Sequence, residues 1–255
     1  MSELALTAVS LADDRLGRLR RLAIVPAYNE ERCVGAVVRE IRAVDPGFEI
    51  LVVDDGSHDA TAAVAREHGA CVVSLPFNLG IGGAVQTGYR YAHAHGFDVA
   101  VQVDGDGQHD PGELHMLLAP LVRGEADMVV GSRFAGGPAY DASFARRLGM
   151  RVFARTVSLI VGRRVTDTTS GFRAVNRRGI ALFAADYPHD YPEVEAIVLL
   201  VKHRFRLEEV PVEMRPRASG RSSITAARSV YYMVKVLLAV FVGLFRKYAV
   251  PAEER

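Results

Sequence analysis

The sequence predicts an α/β fold in which a mostly parallel sheet is covered by helices on both faces. Short apolar runs alternate with segments whose apolar residues recur at helical spacing, and this rhythm persists through the first half of the chain. Strands and helices that alternate in this way build parallel sheets buried on both sides. A second observation concerns polar residues: several acidic or polar clusters follow directly on an apolar run, where the carboxyl end of a strand would lie. In open parallel sheets that end forms the ligand crevice.

Taken in order, Leu22 to Val25 is an apolar run ending at Pro26, and Cys33, Val34, Val37, Val38 and Ile41 then fall on one helical face. Ile50 to Val53 predicts a second strand and Thr61 to His68 a second helix. Ala70 to Val73, Ala84 to Ala94, Val99 to Val103, Leu114 to Val122 and Met128 to Val130 continue the alternation. From about residue 135 it loosens. A long helix is expected over Phe144 to Val161, then a loop carrying Asp167-Thr168-Thr169-Ser170-Gly171, a helix over Glu193 to Lys202 and a strand over Leu207 to Val212.

Residues 1–20 show no clear periodicity and are expected to be a tail or a loose helix. Residues 21–225 are expected to form one domain, with an apolar helix in 226–255. The core of that helix, Tyr231 to Phe245, is nearly all apolar but contains Lys235 and has Arg228, Arg246 and Lys247 at its ends. At about 15 residues it falls short of the ~20 that span a bilayer. Its basic flanks suit a helix lying at a membrane interface. Docking within the protein and symmetric pairing of two copies use the same apolar face.

The chain has 255 residues, 49% of them hydrophobic, enough for one large core. A net charge of +1 with 24% charged residues excludes a strongly basic nucleic-acid binder and an acidic disordered tail. Arg204, Arg206, Arg215, Arg217, Arg221 and Arg228 concentrate late in the chain, which is where a negatively charged partner is easiest to place. Cys33 and Cys71 lie in apolar patterns without metal-ligand spacing, and both are expected in the core rather than in a disulfide. The start, Met1-Ser2-Glu3-Leu4-Ala5-Leu6, has neither a basic n-region nor a sustained apolar stretch. A cytoplasmic location, peripheral at the membrane, is therefore expected.

Asp104-Gly105-Asp106 follows the run Val99 to Val103, so both carboxylates would project from a strand end into the crevice. Hard cations take oxygen ligands, and magnesium or manganese sites commonly combine one or two carboxylates with substrate phosphates. Gln108 adds an amide oxygen. An isolated Asp-Gly pair is equally a turn former, and His109 beside it is a candidate contact to a diphosphate. Asn78-Leu79-Gly80-Ile81-Gly82-Gly83-Ala84 is a glycine-rich stretch leading into a helix, where a ligand can approach the backbone and the helix start favours phosphate; a tight loop explains it as well. It does not follow the first strand as Gly-x-Gly-x-x-Gly, which disfavours a dinucleotide-binding dehydrogenase. In Asp54-Asp55-Gly56-Ser57, Ser57 suits an N-cap, whereas paired aspartates at a strand end also suit a nucleobase or ribose.

These motifs carry a resemblance. Pro26-Ala27-Tyr28-Asn29-Glu30, Asp54 to Ser57, Asn78-x-Gly80-x-Gly82, Asp104-x-Asp106-x-Gln108, Gly131-Ser132-Arg133, Ser170-Gly171-Phe172-Arg173 and Arg217-x-x-Gly220-x-Ser222 stand in the order found in family 2 glycosyltransferases. The branch that the chain resembles contains the dolichyl-phosphate mannosyltransferases and polyprenyl-phosphate glycosyltransferases, and the resemblance runs over about residues 21–224. It implies a GT-A fold and inverting transfer from a nucleotide diphosphate sugar, of GDP-mannose or UDP-glucose type, to a polyprenyl phosphate. It further implies that Pro26, Tyr28, Glu30 and Asp55 hold the nucleoside with Asn78 and Gly80 nearby. Asp104, Asp106 and Gln108 would hold Mg2+ or Mn2+, while Arg133, Ser170, Arg173 and Arg217 would face phosphates, which suits the bidentate reach of guanidinium groups. The closing motif departs from the branch: Gly220-Arg221-Ser222-Ser223 stands where Gly-x-Ser-Lys is common.

A lipid phosphate is ionised near neutral pH and needs no general base. A hydroxyl acceptor would need one, and Glu193 and Glu195 are the candidates, although both equally suit capping a helix or pairing with an arginine. A reading of another class, a nucleotide-sugar-binding or membrane-scaffold protein without turnover, supplies no reason to keep Asp104, Asp106, Gln108 and Arg217 together.

Overall fold

Among the described residues seven strands form one sheet in the order β3-β2-β1-β4-β6-β5-β7. The computed structural model describes residues 16–135 and 144–215, together with helical positions 235 and 238. The strands are β1 (Arg21–Ala27), β2 (Phe48–Asp54), β3 (Cys71–Ser74), β4 (Val99–Gln102), β5 (Met128–Ser132), β6 (Arg173–Asn176) and β7 (Leu207–Pro211). The helices are α1 (Val34–Val44), α2 (Thr61–Glu67), α3 (Gly80–Ala94), α4 (Leu114–Val122), α5 (Phe144–Val161), α6 (Arg177–Ala185) and α7 (Pro192–Lys202). Strand β1 pairs in parallel with β2 and β4, and β5 pairs in parallel with β7; only β6 runs the other way, antiparallel to both β4 and β5.

Alternation along the strands feeds two cores. Ile24, Leu51, Ala100, Val130 and Val175 face a layer built from α3, α5, α6 and α7, including Val85, Phe153, Phe183 and Ile197. Val25, Val52, Val101, Val129 and Ala174 face the opposite layer, with Val37 and Val38 of α1, Ala65 of α2 and Leu117 of α4. All seven residues of β1 are buried. A two-sided burial of this kind is why these strands read as unbroken apolar runs.

At the amino end of the sheet, a buried carboxylate ties three strands together. Asp127 accepts from the backbone N–H of Arg206 at 2.8 Å, from its Nη2 at 3.1 Å and from Asn176 Nδ2 at 2.9 Å. Burial alone would raise this carboxyl, but the bonds and charge of Arg206 together with Asn176 outweigh it and hold the group below its ordinary value. Asn176 also caps α6, its Oδ1 accepting from Gly179 N at 3.0 Å.

Several expectations need correction. The segment after Gly171 holds a strand and a helix, β6 and α6, that were not anticipated: β6 is four residues long and begins with a buried arginine. Helix α3 begins at Gly80 rather than Ala84, so the glycine-rich stretch lies within its first turns. Cys33 is buried, but Cys71 is exposed on β3, which among the described residues is an edge strand paired only with β2. The apolar helix expected in 226–255 lies outside the described residues, apart from the two helical positions. Among the described residues no helix is long and apolar enough to cross a membrane.

Helix α3 lies tightly on β1 at Gly88, where an added Cβ would stand 2.3 Å from Ile24 Cγ2. Gly88→Ala is therefore expected to destabilise the protein by about 1–3 kcal/mol through overpacking, despite alanine's better helix propensity. Urea unfolding measures this directly, and a stabilised variant would mean that the contact relaxes freely.

Candidate active site

The parallel strands deliver their polar termini to one edge of the sheet, where hydrogen bonds join the loops. Asp55 N donates to Ala27 O at 2.9 Å, Asn29 N to Ser57 Oγ at 2.9 Å, and Glu30 N to Thr61 Oγ1 at 2.8 Å. Asn29 adopts a left-handed conformation, φ 56, and its side-chain oxygen accepts from His58 N at 2.9 Å. Gly105 N donates to Pro26 O at 3.2 Å, which brings the Asp104–Asp106 turn against the end of β1. The three clusters expected to converge therefore do so. Tyr28 is exposed beside them, edge to face with His58 at 6.5 Å.

Asp55 is buried, and both its oxygens serve the start of α3: Oδ1 accepts from Leu79 N at 2.7 Å and Oδ2 from Gly80 N at 2.9 Å. Desolvation raises its carboxyl above the ordinary value, against the pull of those two N–H groups and with a further push from Asp54. Asn78 Oδ1 also accepts from Gly80 N, at 3.0 Å. Asp55, Asn78 and Gly80 are thus one bonded unit. The next glycine serves packing, since a Cβ on Gly82 would stand 2.6 Å from Pro188 O.

Asp104 is held from three sides. Gln102, buried at the end of β4, donates from Nε2 to Asp104 Oδ1 at 3.0 Å. His109 accepts the Asp104 backbone N–H at Nδ1, at 3.0 Å, so its proton sits on Nε2, which lies 3.6 Å from Asp104 Oδ2. The imidazole is buried and stacked on Phe172 at 4.8 Å. On the third side is Gly171, where a Cβ would stand 3.2 Å from Asp104 Oδ2. Asp106 completes the turn, its Oδ1 accepting from Gln108 N at 3.0 Å around the left-handed Gly107.

Two carboxylates and an amide in one turn form an all-oxygen donor set. Among the described residues no group of three or more His, Cys, Asp or Glu could hold a metal. A hard cation that keeps water and takes substrate phosphate as further ligands fits such a partial set, whereas one needing a complete protein cage does not.

Of the residues expected to face phosphates, Arg133 and Arg173 bond to groups of the protein itself. Arg133 donates from Nε to Asp167 Oδ2 at 2.7 Å and from Nη2 to Asp167 Oδ1 at 2.8 Å, joining the end of β5 to the 165–171 loop. Glu209 of β7 secures the same loop by accepting from Thr166 N and Asp167 N, both at 2.8 Å. Ser170 and Arg173 are each 1% exposed. Arg173 donates from Nε to Ser170 O and from Nη2 to Glu193 O, both at 2.6 Å, while its buried Nη1 meets no partner among the described residues. Desolvation raises the Glu193 carboxyl; Arg173 counters it and Asp104 adds to it. Burial also raises the Tyr187 phenol well above its ordinary value.

Arg217 lies outside the described residues, as do Gly220 and Ser222. The segment leading to it does not: Met214 forms a β-bridge with His109, and Arg215 N donates to Gln108 O at 2.9 Å. The Arg215 guanidinium also bonds to Asp110, at 2.8 Å, and to Glu40 of α1. Sequence reasoning overlooked Gln102, Arg215 and Glu209. Of these only Gln102 left a signal, as the one polar residue in the run Val99 to Val103.

The model of Glycosyl transferase family 2 matches residues 22–182. The chain is 32% identical over 227 residues to polyprenol monophosphomannose synthase of Mycolicibacterium smegmatis, covering 85% of each chain. It is 30% identical over 216 residues to undecaprenyl-phosphate mannosyltransferase of Micrococcus luteus, covering 81% of this chain and 88% of that one. Among solved structures, glucosyl-3-phosphoglycerate synthase from Mycobacterium tuberculosis, in complex with Mn2+, uridine diphosphate and phosphoglyceric acid, matches with a TM-score of 0.71 at 20% identity over 95% of this chain and 84% of that one.

The Arg133–Asp167 pair has a pH signature. Burial raises the Asp167 carboxyl, but the hydrogen bonds and charge of Arg133 prevail and hold it below its ordinary value. Its contribution is thus complete above the unfolded aspartate range and is lost as pH falls through the lowered folded value. Asp167→Asn is expected to cost about 3 kcal/mol near neutrality, the lower end for a buried pair because Arg133 keeps some water. It should also flatten the acid limb of stability, read by urea unfolding over a pH series. An unaltered acid limb would assign that loss to other carboxylates.

Proposed function

We propose that this chain, which belongs to glycosyl transferase family 2, moves a sugar from a nucleotide diphosphate sugar to a polyprenyl phosphate with inversion at the anomeric carbon. The observation that carries the proposal is the turn Asp104–Gln108, held at the crevice edge by Gln102 and His109 and placed against the end of β1. The two relatives named for transfer to polyprenol or undecaprenyl phosphate support the lipid acceptor.

In this reading Pro26, Tyr28, Glu30 and the Asp55–Asn78–Gly80 unit border the nucleoside. Asp104, Asp106 and the Gln108 amide present oxygen atoms towards the diphosphate and hold Mg2+ or Mn2+. Such an ion, when bound, neutralises the charge that grows on the departing nucleotide. Gln102 and His109 keep the Asp104 carboxylate in one orientation before substrate arrives, so less reorganisation is left for the reaction itself. Arg217, two residues beyond the anchored Arg215, supplies positive charge to a phosphate. The acceptor phosphate is already an anion and attacks without deprotonation. GDP-mannose and UDP-glucose types both remain within the proposal.

A hydroxyl acceptor is the second reading, favoured by the raised carboxyl of Glu193 at the start of α7, since a less acidic carboxylate is a better base. Loss of turnover in Glu193→Gln, with donor binding retained and a hydroxyl acceptor used by the wild type, would establish that reading.

Calorimetry with GDP-, UDP- and dTDP-sugars, with and without Mn2+, tests the donor site. One donor is expected to bind in a metal-dependent way, with binding abolished in Asp106→Ala and weakened roughly tenfold in Gln102→Leu through loss of ligand orientation. If no donor bound under any metal condition, the scaffold reading would replace this one.

A further inference from the structure

The turn that carries Asp104, Asp106 and Gln108 is gripped by a residue from the segment that follows β7. This segment is rooted before it arrives: Val212 is buried against Gly131, and its N–H donates to Ser132 O at 3.1 Å. Met214 then bridges to His109, and Arg215 N donates to Gln108 O at 2.9 Å. The Arg215 side chain adds a second grip. Its Nη2 donates to Asp110 Oδ1 at 2.8 Å, and its Nη1 donates to Glu40 Oε2 on α1. Asp110 is itself fixed, since the same oxygen accepts from Gly112 N at 2.9 Å.

What Arg215 holds is the peptide between Gln108 and His109. Its carbonyl accepts from Arg215; on one side of it Gln108 N donates to Asp106 Oδ1, and on the other the His109 ring accepts from Asp104 N. A rotation of this peptide would disturb the tethers of both carboxylates at once. From this geometry we infer that Arg215, Glu40 and Asp110 form a clamp that positions the Asp104–Gln108 turn for its cation, and so sets the affinity for metal. The inference rests on the reading of that turn as the metal site given above. All three are positioning residues, which act through the peptide and not on the ion.

Exposure separates this role from a purely structural one. The side chains of Arg215, Glu40 and Asp110 are 42%, 43% and 34% exposed, and pairs so open to water add little to stability. Their loss should leave the melting temperature nearly unchanged. Two carboxylates from distant parts of the chain nonetheless converge on one guanidinium, whose planar fork suits holding both in fixed directions. Directional hold on a ligand loop is what a metal site gains from its surroundings.

Titration of the full chain with Mn2+, alone and with GDP or UDP present, tests the inference through the loss of the free-ion paramagnetic resonance signal. Glu40→Gln is expected to weaken Mn2+ binding by about threefold and Arg215→Met, which removes both pairs, by about tenfold. The double variant should bind as Arg215→Met does, because both act through one clamp. Glu40→Asp keeps the charge and should recover most of the affinity. Glu125→Gln breaks an equally exposed pair, with Arg123 ahead of β5, and should bind as the wild type does. Hydrogen exchange of the metal-free chain gives a second readout: the Arg215 amide should exchange about threefold faster in Glu40→Gln. Unchanged Mn2+ affinity in Arg215→Met, additive losses in the double variant or unaltered exchange in Glu40→Gln would each overturn the clamp while leaving the metal site in place. A wild type that takes up no Mn2+, with or without nucleotide, would instead overturn the metal site itself and, with it, the clamp's role there.

Discussion

One strand running against the others organises the candidate site. Six of the described strands finish at the crevice edge, so their loops arrive there from below. Strand β6, antiparallel between β4 and β5, begins at that edge. Its approach, Ser170 to Phe172, therefore passes directly over the end of β4, where Gly171 meets Asp104 and Phe172 stacks on His109. In register, Arg173 faces Gln102. A parallel strand in that place would have delivered its end, not its beginning, and the 167–171 loop would lie at the opposite edge of the sheet.

The loops around this point are set less by turn geometry than by carboxylates that accept backbone N–H groups. Asp55 does this for the start of α3, Glu209 for Thr166 and Asp167, and Asp106 for Gln108. Charge-assisted bonds of this kind are stronger than neutral ones and fix direction as well as distance. Desolvation opposes each buried charge, and the outcome differs with the partner. Asp167, facing a guanidinium, is held below its ordinary range, whereas Asp55, served only by amides and beside another aspartate, is raised above it.

The sequence was most legible where structure is repetitive. The runs at Leu22, Ile50, Val99 and Met128 are buried on both faces, so their hydrophobicity is continuous and their boundaries nearly correct. The convergence of the clusters after β1, β2 and β4 followed from parallel topology alone. Reading failed at β6 and α6: a four-residue strand has no period to detect, and Arg173 inside it looks like a surface residue. Identity also misled about circumstance. Arg133, Ser170 and Arg173 match a motif, but the bonds of Arg133 to Asp167 and of Arg173 to Ser170 and Glu193 are contacts that no local pattern records. Arg215 was invisible for the same reason, since it joins α1 to a turn far away in the chain.

The edge position of β3 gives the molecule an uneven thiol chemistry. Cys33 is enclosed at the start of α1, whereas Cys71 stands open on the outermost strand, its sulfur 3.7 Å from the Tyr91 hydroxyl. A maleimide or a spin label would meet one accessible sulfur, on a strand remote from the Asp104 turn in sheet order. The native chain can thus carry a single reporter without any engineered cysteine.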